Sequence, residues 1–145
     1  MTSATRSTIA DLASVLRPSL LRLTRMIRNQ RVDMSVTLTQ LSAINTLHKQ
    51  GPMSAGELAT CERVQPPSMT KVLAHLEERG LIRREAHPGD RRQAIMSITP
   101  DGIALLDSER RSRDEWLTQR LAQLTPDERA AIRNVVPVLD KLAEL

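Results

Sequence analysis

Gln65, Ser68, Thr70 and Lys71, followed one turn later by His75, gather amide, hydroxyl, ammonium and imidazole groups in one short stretch of chain. Groups of this kind read base edges in a DNA major groove, where Gln pairs with adenine and Lys reaches guanine or a phosphate. Pro67 falls on the same side of that stretch. The plain alternative is a polar helix face that meets only water. Downstream, Asp90, Arg91 and Arg92 set two guanidinium groups side by side. Arginine is the side chain most readily drawn into a narrow minor groove by its enhanced negative potential. Arg83 and Arg84 are candidates for phosphate contact, although charges on a strand often serve only to protect an edge. His75 stands between a base or phosphate contact and a surface histidine without a role.

Other chemistries find no residues to run on. The sequence has no nucleophile with a spaced base, no phosphate-cradling glycine loop and no dinucleotide fingerprint, so neither an enzyme nor a cofactor is expected. His48, His75, His87 and Cys61 lack paired ligand spacing, and no metal site is expected. Cys61 is the single cysteine, which excludes an internal disulfide and leaves no partner to resolve a sulfenic acid; it is read as a small helix-packing residue. There is no Phe or Tyr, and Trp116 stands alone, so the aromatic platforms that bind single strands are missing and duplex DNA is the better nucleic-acid partner. A net charge of +4 and a pI near 10.2 suit a polyanion. No apolar run is long enough to span a membrane, and the first residues lack a secretory pattern, so a cytoplasmic protein associated with the nucleoid is expected.

The elements that must position these residues announce themselves by their starts. Thr37 with Gln40, Ser54 with Glu57, and Thr125 with Glu128 each have capping-box spacing, and Thr99-Pro100 is a cap followed by proline at the first helical position. A first helix is expected from about Thr8 to Arg31 on the spacing of Ile9, Leu12, Leu16, Leu20, Leu23 and Ile27, bent at Pro18. A second starts at Thr37 and buries Leu38, Leu41, Ile44 and Leu47, and a short third runs from Ser54 to about Arg63. The fourth runs from Pro66 to just before Gly80, with Met69, Val72, Leu73 and Leu76 on its inner side. After Gly80 the apolar period shortens to two, giving strands over 81–86 and 94–99 around a charged tip. Two further helices follow, about 100–124 and 126–142. The face Ile132, Val135, Val136, Leu139 and Leu142 on the last of them is too apolar for an exposed helix of a monomer.

A short helix, a tight turn and a second helix with a polar outer face make a helix-turn-helix, and the basic hairpin beside it makes a wing. The fold class expected is mainly α with a small β-hairpin wing. One domain of 145 residues would hold a winged helix-turn-helix core, about 37–99, and a helical dimerisation lobe from about 8–31 and 100–145.

The run Val64-Gln65-Pro66-Pro67-Ser68-Met69-Thr70-Lys71, the stretch Leu76 to Arg84, the wing Pro88-Gly89-Asp90-Arg91-Arg92 and the close Ile98-Thr99-Pro100-Asp101-Gly102 together resemble the MarR family. That resemblance implies a homodimer on a palindromic operator, with half-sites about one helical turn apart. It implies that Asp90 orients Arg92 in the minor groove, and that a small aromatic or phenolic effector relieves repression. The effector pocket it points to involves Arg22, Met26, His48 and Arg113. The sequence departs from the family near the end of the third helix, where an apolar residue and Gly are usual and Glu62 and Arg63 stand instead, so a differently built turn is expected. Two other readings stay open: a helical dimer that binds an effector or a protein and has lost operator recognition, and a constitutive DNA-binding protein without an effector.

Overall fold

The computed structural model describes residues 2–145, with side chains from residue 8 onward. Helix initiation follows the local chemistry. Thr37, Ser54 and Thr125 each accept a hydrogen bond from the backbone N–H three residues on, and the side chains of Gln40, Glu57 and Glu128 accept one from the cap's own N–H. The elements are α1 (Thr2–Arg28), α2 (Leu38–Gln50), β1 (Met53–Ser54), α3 (Ala55–Glu62), α4 (Pro66–Glu78), β2 (Ile82–Ala86), β3 (Ala94–Ile98), α5 (Pro100–Ala122) and α6 (Pro126–Glu144). Pro18 lies within α1 and Pro137 within α6.

The chain divides into two compact units, Met1–Gln30 with Ser112–Leu145, and Arg31–Arg111. The second unit holds the buried core. Val36, just before α2, and Leu41, Ala43, Ile44 and Leu47 within it meet Leu58 and Ala59 of α3, Met69, Leu73 and Leu76 of α4, and Met53, Leu81, Ile82 and Met96 around the sheet. Every one of these is aliphatic or methionine. Leu105 and Leu106 pack against them, which places the beginning of α5 in this unit. Leu38, expected inside, is half exposed; Val36, just before the helix, takes the buried place.

The sheet has three antiparallel strands in the order β1-β3-β2. Ile82 faces Ile98 and Ala86 faces Ala94 across the hairpin, while Met53 of β1 faces Met96. β1 is only two residues long, and periodicity gave no sign of it. Ile82 is buried, but the rest of β2 is exposed, so the hairpin projects beyond the core.

The base of the hairpin is closed by a close approach. Thr99 donates its backbone N–H to Leu81 O (3.1 Å) and its hydroxyl to Gly80 O (2.6 Å), and its hydroxyl oxygen in turn caps Gly102 N (3.2 Å). A Cβ at Gly102 would lie 2.3 Å from Leu81 O and 2.7 Å from a side-chain carbon of Ile98. The threonine cap and the glycine therefore act together, starting α5 directly against the strand that precedes the wing.

In the first unit the α5–α6 turn is tied by Arg129, whose guanidinium donates to Leu124 O at 2.5 Å, and Arg120 stacks over the Trp116 ring at 5.3 Å. The apolar residues of α1 and α6 lie largely open in the single chain: Ile9, Leu12, Val15 and Leu21 on one, and Val135, Val136, Val138 and Leu142 on the other. No residue of α6 is buried.

Gly102→Ala is expected to lower stability by about 1–3 kcal/mol, since the backbone carbonyl it meets cannot swing aside as a side chain would. Urea unfolding checks this; a midpoint equal to that of the native chain would show that the junction yields.

Candidate nucleic-acid interface

α4 is locked by its inner face. Met69, Leu73 and Leu76 are fully buried, and their spacing turns Gln65, Pro67, Ser68, Thr70 and Lys71 outward into solvent. Gln65 is the N-cap residue but makes no side-chain cap hydrogen bond, so its amide is uncommitted at the tip of the helix. Pro66 and Pro67 fill the first helical positions, where a missing N–H costs nothing. The Thr70 hydroxyl donates back to Pro66 O (3.0 Å), leaving its oxygen as an acceptor. His75 departs from expectation: it is half-buried, and its Nε2 is shut off from solvent without a hydrogen-bond partner. It stands beside buried Leu76 and three residues after half-buried Val72, at the margin of the inner face, so that nitrogen does not face outward with the other candidates.

The turn before α4 corrects another expectation. Arg63 adopts the left-handed conformation, φ 54° and ψ 42°, and is the one non-glycine residue with positive φ among those described. Val64 N then bonds to Ala59 O at 3.0 Å. The turn is thus built as a glycine would build it, with an arginine bearing the steric cost. Glu62 replaces apolar packing with hydrogen bonds: its carboxylate accepts from the hydroxyls of Ser42 (2.7 Å) and Thr46 and clamps α3 to α2.

At the wing, His87 Nδ1 accepts from the backbone N–H of Gly89 (3.0 Å) and Asp90 (3.1 Å), and Asp90 Oδ1 accepts from Arg92 N at 2.9 Å. Asp90 therefore shapes the turn through the main chain of Arg92. The guanidinium groups of Arg91 and Arg92 are exposed and take no ion-pair partner among the described residues. The other two arginines are engaged: Arg83 pairs with Glu85 at 3.0 Å, and Arg84 reaches Glu77 at 3.1 Å, tying β2 to α4. Both pairs are open to solvent and weakly held, so either arginine can exchange its carboxylate for a phosphate.

A polar cluster that sequence reading missed lies behind α4. Glu109 of α5 is fully buried; its Oε1 accepts from the backbone N–H of Val32 and Asp33, both at 3.1 Å, and its Oε2 lies 3.7 Å from Arg31 Nε. The Arg31 guanidinium donates to the carbonyls of Asp33 and Val36. The Asp33 carboxylate accepts from Ser35 N and Ser35 Oγ and from Arg79 at 2.7 Å. Those hydroxyl and guanidinium donors hold the Asp33 carboxyl down from the usual 3.8 to about 2. Hydrogen-bonded partners 46 to 77 positions apart in the sequence gave no periodic signal that could have revealed this.

The residues expected around an effector divide between the units: Arg22 and Met26 on α1 and Arg113 on α5 belong to the first, and His48, exposed on α2, to the second. Cys61, expected in packing, is instead exposed, with Sγ 3.8 Å from Gln50 Oε1. Among the described residues no group of three or more His, Cys, Asp or Glu could hold a metal ion, and no helix is long and apolar enough to cross a membrane.

A helix-turn-helix with an outward polar edge and a hairpin tipped by unpaired arginines defines a winged helix-turn-helix protein. The sequence profile of the MarR family matches residues 36–94. An uncharacterised HTH-type transcriptional regulator of Mycobacterium leprae is 43% identical over 135 residues, 93% of this chain and 94% of the relative. The HTH-type transcriptional repressor NicR of Pseudomonas putida is 30% identical over 118 residues, 81% of this chain and 75% of the relative. In structure, a transcriptional regulator protein of Pseudomonas aeruginosa superposes with a TM-score of 0.82 at 31% identity, covering 95% of this chain and 97% of that one. The chain belongs to the MarR family of transcriptional regulators.

Relief of the left-handed strain makes Arg63→Gly stabilising by about 0.5–1 kcal/mol in urea unfolding; a loss would mean that the arginine makes compensating contacts. The Asp33 carboxyl should titrate at about 2 when followed by carbon NMR. Because its folded value lies below 3.8, its contribution to stability is complete above 3.8 and fades as pH falls through about 2. Arg79→Gln should move the midpoint back toward 3.8, and a midpoint unmoved by that change would assign the shift to Ser35 alone.

Proposed function

We propose that two copies of this chain bind one palindromic duplex, each laying α4 in a major groove and its wing in the neighbouring minor groove. On this reading Gln65, Ser68 and Lys71 meet base edges or phosphates from the first turns of α4. Pro67 and the acceptor oxygen of Thr70 complete that surface, and Arg92, with Arg91 beside it, enters the minor groove. Asp90 holds the turn from which Arg92 projects. Arg83 and Arg84 contact the flanking backbone. The observation that carries the proposal is the pairing, in one unit, of an uncommitted polar edge on α4 with two exposed guanidinium groups that no carboxylate neutralises.

Several facts support the dimer. Apolar residues of α1 and α6 are open to solvent in the single chain, and burying each such side chain against a second copy contributes about 1.5–3 kcal/mol. A twofold protein matches a twofold operator. The protein would act in the cytoplasm, on the nucleoid. The name of the Pseudomonas putida relative supports repression as the sign of regulation. Relief by a small aromatic or phenolic effector requires that the effector bind free dimer more tightly than DNA-bound dimer, since only differential affinity shifts the equilibrium.

A duplex recovered by selecting genomic fragments on the purified protein supplies the probe. Arg92→Ala should weaken binding to it by about 1–3 kcal/mol while sedimentation still gives the mass of a dimer. Undiminished affinity would remove Arg92 from the interface, and a monomeric native protein indifferent to every duplex at low salt would end the reading altogether.

A further inference from the structure

The buried charges of the second unit are not spent on the core. They are spent on residues 31–37, within the segment that links α1 to α2. Glu109 presents one carboxylate oxygen to two consecutive backbone amides, and Arg31 presents its guanidinium to two carbonyls of the same short segment. A loop normally satisfies such groups with water. Here it is wound around two fixed charges, and its shape is set from inside the protein.

The outer edge of the wound loop grips α4. Arg79 is the C-cap residue of that helix, and its guanidinium donates to Asp33 Oδ2 at 2.7 Å and to Ser35 Oγ. Asp33 is thus held twice, by its own N–H on Glu109 and by its carboxylate on Arg79. A continuous chain of charge-assisted hydrogen bonds runs from α5 through the loop to the far end of the helix whose beginning carries Gln65 and Ser68. Such bonds are shorter and directional, and they restrain angle as well as distance. The apolar contacts of Met69, Leu73 and Leu76 seat the inner face of α4, and the Arg79 pair with Asp33 adds a directional tie at its C-terminal end.

We propose that loop 31–37 is a strap that fixes the reading angle of α4, with Glu109, Asp33 and Arg79 as positioning residues for DNA recognition that need not touch DNA. The proposal rests on the DNA-binding reading above. It predicts that a change at Asp33, on a loop away from the start of α4, weakens operator binding through Arg79, and that the two residues act as one.

The test compares Asp33→Ala, Arg79→Gln and the double variant with the native chain. Three measurements are made: affinity for the selected genomic duplex, the salt dependence of that affinity, and hydrogen exchange at the amides of Gly80 and Leu81. Those amides bond to Glu77 O and Leu76 O at the end of α4. Each single variant should weaken binding on the order of tenfold. The double variant should be no worse than either single one, because removing one partner already opens the clasp. The salt slope should stay unchanged, and exchange at Gly80 and Leu81 should quicken while that of the α2 core amides does not. Loss confined to Arg79→Gln, with the slope reduced by about one, would make Arg79 a phosphate ligand and overturn the strap. Variants equal to the native chain in affinity and exchange would overturn it too. A native chain that captures no duplex would defeat the DNA-binding reading instead; exchange at Gly80 and Leu81 then decides the strap by itself, with unaltered rates in Asp33→Ala counting against it.

Discussion

Burial of three side chains at helical spacing, Met69, Leu73 and Leu76, is the constraint from which the rest of the second unit follows. They are seated among Ile44, Leu47, Leu58 and Met96 without a single aromatic ring to fill the centre. Aliphatic and thioether groups pack by many small dispersion contacts, so the seat is specific only if the helices around it are placed well. That placement comes from the hydroxyl caps Thr37, Ser54 and Thr99 at the starts of α2, α3 and α5 and from carboxylates, Glu62 and Glu109, that hold neighbouring segments by hydrogen bonds. Once the inner face of α4 is fixed, 3.6 residues per turn leave no choice about which residues face water. The polar edge is a consequence of the core.

The hairpin obeys a different logic. Of β2 only the first residue, Ile82, is buried, β3 anchors the hairpin through Met96 and Ser97, and the register is set by the pairing of the two strands and by the junction of Thr99 and Gly102 with Leu81. The requirement there is backbone proximity, which explains why threonine and glycine stand three residues apart at the end of the strand. The same residues carried much of the resemblance to the MarR family in the sequence. A motif that looks like a label is, in the fold, a hydroxyl cap and a missing methyl group.

What the sequence disclosed and what it withheld separate along physical lines. Signals confined to a few neighbouring residues were legible: the three capping boxes formed as spaced, α4 lies where its apolar stripe put it, and both wing strands fall within a residue of their expected bounds. Leu38 is half exposed and Val36, which no pattern had singled out, is buried because the cap residue lies between them and the periodicity of the helix does not extend across it. His75 sits at the edge of the stripe, where one pattern cannot say which neighbour will lean over it. β1 is too short to show alternation. Arg63 in a left-handed turn was hidden by its own type, since the position asks for glycine. The cluster of Arg31, Asp33, Arg79 and Glu109 was invisible because its members meet only after the chain has folded. For the candidate interface, therefore, the residues were readable and the means of holding them at an angle were not.

The attachment at the hairpin tip has its own implication. Asp90 spends its carboxylate on the main-chain amide of Arg92 and leaves the guanidinium untethered. The tip is consequently a stiff post bearing a loose hook. Whatever Arg92 engages must order a side chain worth about 2 kcal/mol of rotamer entropy. In return, the same post can follow grooves of unequal width by re-choosing rotamers, without re-forming the turn beneath it.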